Sequence, residues 1–155
     1  MRSWGAWNAS WAWSLALIAI TITIHLVGVG VIVNLIERFR ARLLQSPRTY
    51  LGSTPATIAV IVAVALALAV LHGVESMVWA IAYVRLGAFG SPAEAALYSV
   101  DSMTTRGASG LSPERDWRMM GAVEAGDGML LFGISTAFLF YAMIRLWKTD
   151  IAIHE

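Results

Sequence analysis

Three apolar stretches, residues 13–36, 55–86 and 119–147, govern what this chain can become. Each is at least as long as the roughly 20 residues that carry a helix across a hydrocarbon core about 30 Å thick. Within lipid the backbone has to satisfy its own hydrogen bonds, so each stretch is expected to be helical. The balance of residues agrees: 58% are hydrophobic and 14% charged, and a soluble domain of this length needs more charge on its surface. The expected fold class is an all-α membrane protein with three transmembrane helices. The first stretch follows Met1-Arg2-Ser3-Trp4 and ends in Glu37-Arg38-Phe39-Arg40-Ala41-Arg42. It exceeds the short apolar core of a cleaved signal and is expected to stay as an anchor.

Charge sets the topology. Residues 37–54 hold Arg38, Arg40, Arg42 and Arg48, with Ser46-Pro47 and Gly52-Ser53 as helix breakers. The third stretch ends in Arg145-Leu146-Trp147-Lys148. Basic loops stay on the cytoplasmic side. That rule puts the amino terminus outside and the carboxyl terminus in the cytoplasm; the expected location is a plasma membrane, a bacterial inner membrane. Trp4, Trp7, Trp11 and Trp13 then form an outer interfacial belt, and Asn8-Ala9-Ser10 reads as a chance sequon. After Lys148 a short tail, 149–155, ends in Ile153-His154-Glu155, so no soluble ligand-binding domain is expected. A net charge of +1 gives no nucleic-acid footprint. The lack of cysteine excludes disulfides and thiolate chemistry. No nucleophile–base pair and no phosphate-binding glycine loop is present, so no catalytic residue is assigned and the chain does not read as an enzyme.

The segment between the second and third stretches carries the most information. Ser91-Pro92-Ala93-Glu94 has a capping serine, a proline suited to a first helical turn and a glutamate three residues after the cap. A helix over 91–103 is expected, about 18 Å long at 1.5 Å per residue. That is half a bilayer. Thr104-Thr105-Arg106-Gly107-Ala108-Ser109-Gly110 follows as backbone that would climb out again. Irregular backbone survives at membrane depth only inside protein or along a water-filled cavity. The carbonyl end of the short helix would present about half a negative charge to the bilayer centre, which favours a cation. One such loop cannot enclose a pore, so several copies would share it.

Leu97-Tyr98-Ser99-Val100-Asp101-Ser102-Met103-Thr104-Thr105 resembles the pore helix and the start of the filter in potassium channels. The likeness is to the small bacterial two-transmembrane ion-channel family, also labelled two-pore-domain-like. Leu86-Gly87-Ala88-Phe89 before the helix is similar too, as is Ser112-Pro113-Glu114-Arg115-Asp116-Trp117-Arg118 after it. So is Gly121-Ala122-Val123-Glu124-Ala125-Gly126-Asp127-Gly128, leading into Leu131-Phe132-Gly133. The resemblance covers about residues 70–147. It implies a homotetramer around a potassium-channel-like pore, with the first helix added to the minimal unit.

The filter departs from the family pattern Thr-Thr-x-Gly-Tyr-Gly-Asp. Thr104, Thr105 and Gly107 match it; Arg106 replaces a small apolar residue, Ala108 the tyrosine, Ser109 the second glycine and Gly110 the aspartate. Potassium selectivity rests on rings of backbone carbonyls, and glycine eases the backbone angles that aim them inward. With Ser109 and Ala108, the outer filter is expected to be wider or collapsed. Two placements of Arg106 stay open. It can turn back to Asp101 and brace the filter as an ion pair, or face the axis, where four guanidinium groups would bar cations and favour anions.

The remaining polar residues carry both structural and functional readings. His72 and Glu75 share a face of the second helix. They form either a pair locking it to the third helix or a sensing site for protons or a metal, which would need Glu124 or Asp127 as a further ligand. Glu124 and Asp127 share a face of the third helix and attract cations or cap networks behind the filter. Gly128 and Gly133 are candidate gating hinges or close-packing points. His25, with Thr21 and Gly28, marks a face packed on the pore unit. A remote alternative has His25 and His72 ligating a haem.

The expected organisation is therefore an amino-terminal part, 1–54, then a pore module, 55–148, and the tail. The module comprises an outer helix 55–86, a pore helix 91–103, a filter 104–110 supported by Asp101 and Arg106, and an inner helix 116–147 closing the inner gate. Passive conduction of cations with weak or altered selectivity is the leading expectation. A non-conducting regulatory relative and an anion pore are the alternatives. Partners are the bilayer and further copies of the chain. No cofactor or metal is assigned beyond a permeant monovalent ion.

Overall fold

The computed structural model describes residues 2–44, 54–107 and 110–151. The loop features at Ser46, Pro47, Arg48, Gly52 and Ser53, the filter residues Ala108 and Ser109, and His154 lie outside the described residues. Four α-helices follow in order: α1 (Arg2–Leu44), α2 (Thr54–Arg85), α3 (Pro92–Met103) and α4 (Arg118–Ile151). A short 3₁₀ turn, Arg115–Trp117, leads into α4.

α1 is much longer than the apolar stretch 13–36. Hydropathy marks where lipid is tolerated, whereas helix continuation needs only good backbone geometry and the absence of proline. Both the tryptophan-rich start and the arginine-rich end meet that condition. α4 likewise runs into residues 149–151, expected as tail. α2 carries Pro55 in its first turn, where its missing N–H costs nothing. Three helical segments are long and apolar enough to cross a membrane, Trp7–Arg38, Thr57–Arg85 and Arg115–Leu146, and the chain is a multi-pass membrane protein.

Its burial pattern is the reverse of a soluble bundle. Leu15, Leu26, Val27 and Leu35 on α1, Val62, Leu66, Val70 and Ile81 on α2, and Met129 and Phe140 on α4 are exposed. Ser10, Ser14, Thr21 and His25, then His72, Glu75 and Ser76, then Glu124 and Asp127, are buried. In water such a distribution would cost the hydrophobic term at every position. In lipid it costs nothing outside and gives the polar groups one another inside.

The chain divides into two compact units. Unit 1 comprises Met1–His25 and His72–Phe132. It contains α3 and an aromatic core of Trp79, Tyr83, Phe89 and Tyr98, with Met103, Met120 and Leu131. Tyr83 meets Phe89 and Tyr98 edge-on, with ring centroids 5.8 and 5.5 Å apart. Unit 2 comprises Leu26–Leu71 and Gly133–Glu155. There Leu71 packs into the notch at Gly28, its Cδ2 only 2.7 Å from where a Cβ would stand.

Gly128 of α4 abuts the carbonyl oxygen of Met103, and a Cβ there would collide with that oxygen. Among the described residues, nothing beyond its chain neighbours and its own helix backbone lies within 4 Å of a Cβ placed on Gly133. Gly128→Val should therefore lower stability by about 1–3 kcal/mol through overpacking. Gly133→Ala should stay within about 0.5 kcal/mol of the parent. Thermal unfolding in detergent checks both; equal effects at the two positions would refute the packing role of Gly128.

Candidate pore-loop site and its buried polar support

α3 starts as its sequence dictates. Ser91 is extended (φ −115°, ψ 124°) and its Oγ accepts the Glu94 N–H at 3.4 Å, with Pro92 opening the helix. The buried side of α3 is Ala95, Tyr98, Ser99, Asp101 and Met103. Its far end closes in a Schellman motif: the Arg106 N–H donates to the Asp101 carbonyl (3.0 Å) and the Thr105 N–H to the Ser102 carbonyl (2.9 Å). Thr105 takes the left-handed position of that motif, φ 55°. Glycine is the usual occupant; a β-branched residue there is an outlier. Gly107 follows, again with positive φ (82°), and Gly110 also (83°). The loop returns to Glu114, whose N–H donates to the Ala88 carbonyl at 3.0 Å and ties its two ends together.

Contacts fix how far α3 reaches along its neighbours. Ser99 Oγ donates to the Ser76 carbonyl at 2.6 Å, and Ser76 Oγ lies 3.4 Å from Met103 Sδ. Ser76 is nine residues before the end of α2 (76 to 85), about 14 Å along the axis. Gly128, against the Met103 carbonyl, is ten residues into α4 (118 to 128), about 15 Å. The carbonyl end of α3 is thus level with the interior of both spanning segments. At the other end of the contact, the Tyr98 ring fills the notch at Gly121.

Two carboxylates hold α3 and its surroundings from behind. Glu124, fully buried, accepts the Tyr83 hydroxyl at 2.8 Å and bonds to Ser99 Oγ. This joins α4, α2 and α3 through one side chain. Asp127 Oδ2 accepts Thr21 Oγ1 (2.7 Å) and Trp79 Nε1 (3.0 Å), joining α4 to α1 and α2.

A third cluster lies on α1 and α2. His25 Nδ1 is 2.8 Å from Glu75 Oε1, and His72 Nδ1 is 3.1 Å from Glu75 Oε2. At this separation a single proton bridges His25 Nδ1 and Glu75 Oε1. The two imidazoles are 5.3 Å apart between centroids, and His72 stacks on Phe132 at 4.1 Å. His25, expected only as a packing contact, is the partner of Glu75. Glu124 and Asp127, considered as companions of His72, belong to the other two clusters.

Asp101 is buried, and its Oδ1 lies 3.1 Å from Arg106 Nη1; the Arg106 side chain is 69% exposed on the single chain. Thr104, Thr105 and Gly107 are exposed beside it. Thr104 Oγ1 donates to the Val100 carbonyl at 2.7 Å. Sequence reasoning missed Trp79, Tyr83, Ser76 and Ser99 as polar partners. The spacing 72, 75, 76, 79, 83 puts the α2 members on one helical face, which is the signal that could have found them. Comparison with known proteins returns no matching family model, curated protein or solved structure.

Glu124→Ala would strand the Tyr83 hydroxyl in a buried site, at about 1–3 kcal/mol, while Ser99 keeps the Ser76 carbonyl. Glu124→Gln keeps an acceptor and should lose less. The comparison is made by thermal unfolding of both variants in detergent; an alanine variant as stable as the glutamine one would remove Glu124 from its tying role.

Proposed function

We propose that the protein is an ion channel of potassium-channel-like architecture, a homotetramer in which residues 104–110 of each chain line a shared axis. The observation that carries this reading is the reach of α3. Its carbonyl end stops level with Ser76 and Gly128 inside the spans, and the chain there turns to irregular backbone at Thr105 and Gly107. Lipid does not tolerate such backbone unless protein or a water-filled cavity meets it. The exposed run from Thr104 to Gly107 therefore calls for further copies of the chain and for water. Passive conduction of monovalent cations is favoured by the carbonyl end of α3. It is also favoured by the 3.1 Å approach of Arg106 to Asp101, which draws the guanidinium back toward its own helix. Selectivity is weak or altered because Arg106, Ala108 and Ser109 replace the residues of the potassium filter. The amino terminus is outside, the carboxyl terminus cytoplasmic, and α4 forms the inner gate.

A second reading rests on the exposure of Arg106. If tetramer formation turns it to the axis, the pore favours anions; if the altered filter passes no ion at all, the chain is instead a non-conducting, channel-like regulator.

Purified protein in liposomes should give sustained flux, with reversal potentials that follow potassium and sodium gradients rather than chloride. Asp101→Asn should free Arg106 and shift that preference toward chloride or reduce cation flux severalfold. No flux of any ion from a folded tetramer would reject the channel reading, and a parental reversal potential in the Asp101 variant would reject the bracing role.

A further inference from the structure

The cluster on α1 and α2 has the make-up of a metal centre. His25, His72 and Glu75 are all buried, and each offers one ligand atom within 4.8 Å of the other two. Two imidazoles and one carboxylate form a donor set suited to a borderline transition ion, above all zinc, and unsuited to magnesium or calcium. Ligands about 2.0–2.1 Å from a tetrahedral zinc stand roughly 3.3 Å from one another. The nitrogen–oxygen separations here, 2.8 and 3.1 Å, are within a few tenths of an ångström of that.

Two further observations point to an ion rather than to a closed hydrogen-bonded pair. Glu75 Oε2 is fully enclosed and accepts no hydrogen bond among the described residues, although it lies beside a ring nitrogen. An unmet carboxylate oxygen in such a place is costly. Asp127 is close enough to both Glu75 and His25 to interact with them electrostatically, and its own Oδ1 is buried without a hydrogen bond. A divalent ion with one glutamate keeps a net single positive charge, and a neighbouring carboxylate outside the ligand set offsets it where lipid would not.

We propose that His25, His72 and Glu75 bind one zinc ion per chain, with a water completing the coordination. The ion would displace the proton now shared between His25 and Glu75, each imidazole giving a ring-nitrogen lone pair to the metal. Bound there, it fastens α1 to α2 beneath the Phe132 ring of α4. The site does not depend on the channel reading, since every ligand comes from one chain.

The test uses the full chain without a histidine tag, purified in detergent, loaded with zinc and dialysed. Elemental analysis should find one zinc per chain, and cobalt(II) in its place should give the visible absorption of a low-coordinate nitrogen–oxygen site. Glu75→Gln and His72→Ala should each weaken zinc binding by roughly tenfold or more. Magnesium should not compete. Helix content and elution volume establish that each variant is folded, and should one of them fail to fold, His25→Asn takes its place. Substoichiometric zinc in the parent protein, or folded variants that keep parental affinity, would overturn the proposal. Because the readout is metal content and absorption, its failure leaves the flux result untouched.

Discussion

Four carboxylates are buried in unit 1 of this protein: Glu75, Asp101, Glu124 and Asp127. A charge or an unmet acceptor in that setting costs several kcal/mol, and no bulk water is present to absorb the cost. The structure answers with partners drawn mostly from other elements. Glu75 meets imidazoles from α1 and α2, Glu124 meets hydroxyls from α2 and α3, and Asp127 meets a hydroxyl from α1 and an indole from α2. Because lipid provides no hydrophobic force between helices, these directed contacts and close packing at small residues are what give the arrangement its register.

The same economy explains why a twelve-residue helix holds its place. α3 is too short to be stable alone. It is pinned at its start by Ser91, along its length by the Tyr98 ring at Gly121 and the Ser99 bond to Glu124, and at its end by Gly128 under the Met103 carbonyl. Removing a side chain at Gly121 and Gly128 is what lets α4 approach so closely. Gly128 thus serves packing at this point of α4.

Much of this was legible in the sequence, and the remainder was not for identifiable reasons. Apolar length announced the three spans, and Ser91-Pro92-Ala93-Glu94 announced the start of α3, because both depend on local rules. The ends of α1 escaped, since hydropathy falls at Glu37 while the helix does not. The pairing of His25 with Glu75 escaped for a different reason. The two are fifty positions apart, and which faces of α1 and α2 meet is decided by tertiary packing that no local pattern encodes. Thr105 in the left-handed region escaped as well, because the usual signal there is glycine, and the Schellman bonds to Asp101 and Ser102 impose the conformation on a threonine instead.

The polar interior of the chain is nearly complete, but its loop is not. Glu124 and Asp127 have partners within the chain, so the scaffold behind α3 needs no second copy. On the other side of α3, Leu97 and Val100 are exposed, and Thr104, Thr105, Arg106 and Gly107 stand open beyond its end. Apolar exposure is what a lipid-facing or subunit-facing surface requires; an exposed polar backbone at the same depth is tolerated by neither lipid nor a dry interface. Asp101 and Arg106 sit at this border, the carboxylate buried and the guanidinium largely exposed. Asp101 is buried with Oδ1 held by Arg106 and Oδ2 still to be met. Without the guanidinium both oxygens of this buried carboxylate would be unmet, which is the energetic reason for Arg106 to stay beside Asp101.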